Sequence, residues 1–101
     1  MFVFVIWDKR KESLFVARDR IGEKPIFLVP YDGKNFHRGI IFASELKALL
    51  IHPKIEININ NHAVWEYLSL NYVLSNSCMI KGVKKLDPGC FAFFSKNSYM
   101  I

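Results

Sequence analysis

Ala17-Arg18-Asp19-Arg20-Ile21-Gly22-Glu23-Lys24-Pro25 is the stretch on which the reading of this chain turns. The apolar run Leu14-Phe15-Val16-Ala17 leads into it and Ile26-Phe27-Leu28-Val29 leads out, so it reads as a charged corner between two strands. Gly22 supplies backbone angles closed to other residues. Pro25 fixes its own φ and pushes Lys24 towards an extended conformation, which steers the chain into the next strand. Arg18, Asp19, Arg20, Glu23 and Lys24 alternate in sign. The pattern fits either a solvated turn or a self-paired knot of ions at the end of a sheet.

Outward from the corner, Met1 to Trp7 is apolar throughout, which in a strand predicts that both faces are covered. Asp8 to Ser13 is a polar turn that makes Leu14–Ala17 a hairpin partner of that first strand. Ile26–Val29 is a third strand, Pro30 to Asn35 a turn with Asp32-Gly33 at its centre, and Ile40–Ala43 a fourth strand. Ser44 is placed to cap a short helix to Leu50, with Glu45 where the helix dipole favours an acid and Pro53 just beyond its end. Ile55, Ile57 and Ile59 alternate with polar residues and predict an extended segment. Asn60 or Asn61 caps a second helix to about Leu70, whose Val64, Trp65, Leu68 and Tyr72 predict a stripe facing the core. Val73–Ser77 reads as a loop and Cys78–Val83 as a short strand. Asp87-Pro88-Gly89 is a turn, and Phe91–Phe94 the last strand.

With 101 residues the chain is at most one small domain, and 51% hydrophobic content is enough to demand a packed core. The net charge of +5 raises the question of a nucleic-acid partner. No basic run exceeds Lys9-Arg10-Lys11, and no zinc-finger or RNA-recognition signature is present, so neither nucleic acid nor membrane is expected. Met1–Trp7 lacks a basic flank and is too short to span a bilayer. A soluble, cytoplasmic protein is expected. Cys78 and Cys90 are twelve residues apart and suit neither a metal site nor a redox pair; two free thiols are expected.

The corner, together with Phe42-Ala43-Ser44-Glu45-Leu46-Lys47-Ala48-Leu49, resembles the glutaminase domain of glutamine-hydrolysing asparagine synthetases. Phe2–Asp8 is similar to the strand before the family's corner, and Ile80–Gly89 to a segment near that domain's end. The resemblance runs from Phe2 to about Phe94. It implies an α+β fold, the four-layer α/β/β/α sandwich of N-terminal nucleophile hydrolases. It further implies that residues 1–101 are an incomplete glutamine amidotransferase type 2 domain: the later half, without the N-terminal half or the synthetase domain that follows. The motif residues carried over are Arg18, Asp19, Arg20, Gly22, Lys24, Pro25, Ser44 and Glu45, expected to be structural. Leu74 and Asp87 stand where the family's pattern more often has proline.

The family's nucleophile is a cysteine exposed after removal of the initiator methionine, its own α-amino group acting as base. Phe2 follows Met1 here, and the family's substrate-binding residues precede the strand that Phe2–Asp8 resembles. The expectation is therefore no catalytic, substrate-binding or metal residue in this chain. A Cys-His pair drawn from Cys78, Cys90, His37, His52 and His62 has no recognisable catalytic spacing. ATP and magnesium are implied for the parent enzyme only, as are partners in the missing halves and a possible homodimer. The parent reaction would hydrolyse glutamine and use the ammonia to amidate aspartate at the expense of ATP. The alternatives are a glutaminase-like domain of another amidotransferase, a vestigial binding module, or a small basic nucleic-acid-binding domain.

Overall fold

The computed structural model describes residues 1–32, 38–73, 78–95 and 99–100. The hairpin forms as the alternation requires: β1 (Val3–Asp8) pairs antiparallel with β2 (Ser13–Arg18), setting Val3 opposite Arg18 and Asp8 opposite Ser13. Asp8 Oδ1 holds the turn by accepting from the amides of Arg10 at 2.9 Å and Lys11 at 3.2 Å. The third strand is β3 (Phe27–Asp32), paired antiparallel with β4 (Arg38–Ala43). Helices α1 (Leu46–Leu50) and α2 (Asn61–Leu70) come next. Three short strands close the chain: β5 (Lys84–Lys85), β6 (Phe91–Phe94) and β7 (Tyr99–Met100).

These strands make two antiparallel sheets, of order β1-β2-β6-β7 and β4-β3-β5. Side-chain parity decides what each face does. Val3 and Val5 of β1, Leu14 and Val16 of β2, and Ala92 and Phe94 of β6 meet Ile26, Leu28, Ile40 and Leu86, which forms a core between the two sheets. The opposite face of the smaller sheet, carrying Phe27, Val29, Ile41 and Ala43, packs on Leu46, Leu49 and Leu50 and on Cys78, Ile80 and Val83 in a second core. The described residues measure 46 × 34 × 21 Å. The smallest dimension is what two sheets and one further layer give at a spacing of about 10 Å.

Several expectations are corrected. Met1–Trp7 does not have both faces covered: Phe4 and Ile6 are exposed because the described chain puts no layer on the outer side of the larger sheet, and Trp7, opposite Leu14 on the inner side, is exposed near the end of β1. Pro30 lies inside β3 rather than in the turn. β5 pairs only with Phe27 and Leu28, so at Pro30 β3 has one neighbour and the missing amide is tolerated. Residues 33–37, which include the Gly33 end of the expected turn, and 74–77, with Leu74 and most of the expected loop, lie outside the described residues. Ser44 caps nothing: α1 begins at Leu46, its N-cap is Glu45, and no side chain bonds to the first turn.

Asn60 does cap α2, its side chain accepting from the His62 amide at 3.2 Å, and Asn71 closes the helix in the left-handed conformation. The stripe on α2 faces solvent instead of the core. Ala63 is the helix's buried residue, whereas Trp65 is 71% and Leu68 69% exposed. Ile55 packs on the second core, but Ile57 and Ile59 are exposed. The expected strand at Cys78–Val83 reduces to one bridge, Ile59 opposite Ile80. The strand forms one step later, at β5. β6 is followed by β7 and so is not the last strand.

Burial predicts a clear contrast. Leu86→Ala, in the inter-sheet core, should cost about 2–5 kcal/mol of unfolding free energy. Leu68→Ala, on the open side of α2, should stay within about 0.5 kcal/mol. Urea denaturation of the two variants measures both; equal costs would contradict this assignment of the core.

Candidate functional site

Strand β2 places Leu14, Val16 and Arg18 on one face by simple alternation, so Arg18 enters the rim of the inter-sheet core behind two buried aliphatics. It is 6% exposed. Its guanidinium meets main-chain oxygens: Nε donates to Lys24 O at 2.9 Å, Nη2 to Gly22 O at 2.5 Å, and Nη1 to Leu86 O. One planar fork thus ties the end of β2 to the corner loop and to the residue after β5.

Asp19 follows on the other side of the strand and is equally buried. Its Oδ1 accepts from the Gly22 amide at 2.5 Å and its Oδ2 from the Phe2 amide at 2.8 Å, with the Met1 amino group 3.4 Å away. Its main chain joins in. Asp19 N donates to Phe2 O at 3.0 Å, and Gly89 N donates to Asp19 O at 2.7 Å. The carboxyl is held below its ordinary pKa chiefly by the Gly22 amide; burial pushes the other way, and the Phe2 amide and the terminal ammonium add to the lowering.

The knot of paired ions is therefore not what forms. Adjacent strand residues point to opposite sides, so Arg18 and Asp19 turn away from each other and each is satisfied by backbone. Arg20, Glu23 and Lys24 are exposed, Pro25 is half-buried, and Ser44 and Glu45 are exposed, Glu45 lying 3.5 Å from Lys47. Gly22 has φ +70°, and a Cβ there would stand 2.5 Å from Pro88 Cγ and 2.9 Å from its Cβ. The corner loop and the Pro88-Gly89 turn are thus in direct contact. Cys90 N donates back to Asp87 O at 3.2 Å to close that turn. Reading along the chain misses this partnership, because Leu86 is 68 residues from Arg18 and no local signal links them.

A cleft of about 450 Å³ opens beside the corner, lined by Met1, Phe2, Val3, Lys24, Pro25 and Ser44. It offers an ammonium and a hydroxyl, which can orient an anion or an amide. Its lining has no thiol or imidazole. Cys78 is buried in the second core, while Cys90 is exposed at the start of β6. His52 Nδ1 accepts from the Lys54 amide at 3.2 Å, His62 pairs with Glu66 at 3.1 Å, and His37 lies outside the described residues. Among the described residues no three His, Cys, Asp or Glu side chains are grouped to hold a metal ion. Nor is any described helix long and apolar enough to cross a membrane.

Two outcomes follow from the corner. Gly22→Ala meets both a left-handed φ and the Pro88 ring, so it should lose about 2 kcal/mol or more of stability; denaturation of the variant reads this directly. Asp19 is the pH-sensitive member. Its folded pKa is depressed, so its stabilisation is fully present above the unfolded carboxyl's value near 3.8 and is lost as pH falls through the lower folded value. The gap in melting temperature between wild type and Asp19→Asn should be constant at neutral pH and close in acid below that range.

The family model described as glutamine amidotransferase domain matches residues 1–100. Asparagine synthetase [glutamine-hydrolyzing] 3 of Bacillus subtilis is 34% identical over 102 residues, covering all of this chain and 16% of that protein. A putative asparagine synthetase [glutamine-hydrolyzing] of Mycobacterium bovis is 37% identical over 91% of this chain and 14% of its own length. Putative asparagine synthetase [glutamine-hydrolyzing] 2 of Methanocaldococcus jannaschii is 39% identical over 86% of this chain and 16% of its own length. The chain thus spans only about a sixth or less of the relatives it matches, and over that span it belongs to the glutamine amidotransferase domain family.

Proposed function

We propose that this chain is the later half of a glutaminase domain of N-terminal nucleophile hydrolase type, working as one part of a cytoplasmic glutamine-dependent asparagine synthetase. The observation that carries the reading is the outer face of the larger sheet. Phe4, Phe15 and Phe91 stack across it at centroid distances of 6.0 and 5.7 Å, with Phe2 beside Phe4 at 5.5 Å. Ile6, Phe93 and Met100 extend the same apolar area into solvent. Isolated small domains rarely expose so continuous an apolar face. A four-layer sandwich would cover it with helices supplied by the N-terminal half.

Within that enzyme the chain acts as scaffold. Arg18 and Asp19 fix the start of β1 against the corner and the Pro88-Gly89 turn, and β1 is an edge strand whose free side is available to a strand from the rest of the domain. Chemistry on glutamine needs a nucleophile beside a base, which the described arrangement of Cys78, Cys90, His52 and His62 does not supply. ATP and magnesium do not fit this chain's residues either: the described side chains form no acidic cluster, and the sequence has no glycine-rich phosphate loop. Their site belongs to the synthetase part.

The purified chain should release no ammonia or glutamate from glutamine; release abolished by Cys78→Ala or Cys90→Ala would refute the scaffold role. Grafted in place of the matching segment of the Bacillus subtilis relative, the chain should retain glutamine-dependent asparagine formation, with the Gly22→Ala graft lower by at least about tenfold. A graft that folds and makes asparagine from free ammonia but not from glutamine would overturn the assignment.

A further inference from the structure

We draw no further inference here: the strongest candidate, the cleft between the start of β1 and the exposed side chains of Lys24 and Ser44, carries none, because nothing in the structure shows whether a ligand or further protein of the same domain fills it.

Discussion

The buried guanidinium of Arg18 is the constraint on which the arrangement of this chain depends. A charge in the rim of a core is costly unless hydrogen-bonded, and here the donors meet three carbonyl oxygens from two segments, Gly22, Lys24 and Leu86. That geometry joins the two sheets at one point. β2 belongs to the larger sheet, whereas Leu86 follows β5 of the smaller one and its amide donates to Ile26 O at 3.1 Å, beside the start of β3. Lysine could satisfy only one such direction well, because its ammonium lacks the planar fork. Asp19 completes the junction by binding the amides of Phe2 and Gly22, so β1, the loop and the 87–90 turn share one anchor.

Two apolar surfaces remain. The aromatic face of the larger sheet has the flatness and continuity of an internal layer, with rings in contact across three strands. The exposed apolar residues of α2 are Trp65, Tyr67, Leu68 and Leu70. Both surfaces are of the kind that further protein covers, and the relatives carry more chain: the matched segment is only 14–16% of their length.

What could be read from the residues follows from the range of the interactions involved. The β1–β2 hairpin, the Asn60 cap and the Asp87-Pro88-Gly89 turn depend on neighbours within a few positions, and each was legible. β5 and β7, two residues each, owe their existence to distant partners and carry no period of their own. Periodicity located α2 but could not say whether its partner lies in the same chain. The same limit applies to Phe4 and Ile6, whose spacing marks a covered face without naming the cover. Charge pattern misled at the corner, where backbone groups took the places that opposite side chains were expected to fill.

The reach of Arg18 bears on how the corner assembles. Asp19 joins Phe2 across 17 residues and Arg18 joins Leu86 across 68, a fourfold longer loop. Closure entropy grows slowly, so the longer loop costs only about 1.2 kcal/mol more. A hydrogen bond from a charged group contributes about 1.5–3 kcal/mol. The single bond that spans the long loop, to Leu86, is therefore enough to outweigh the added entropy, while the bonds to Gly22 and Lys24 close loops of only four and six residues. The low entropic cost of a long closure is why a motif so local in sequence can draw Leu86, Gly89 and Cys90 from the far end of the chain as partners.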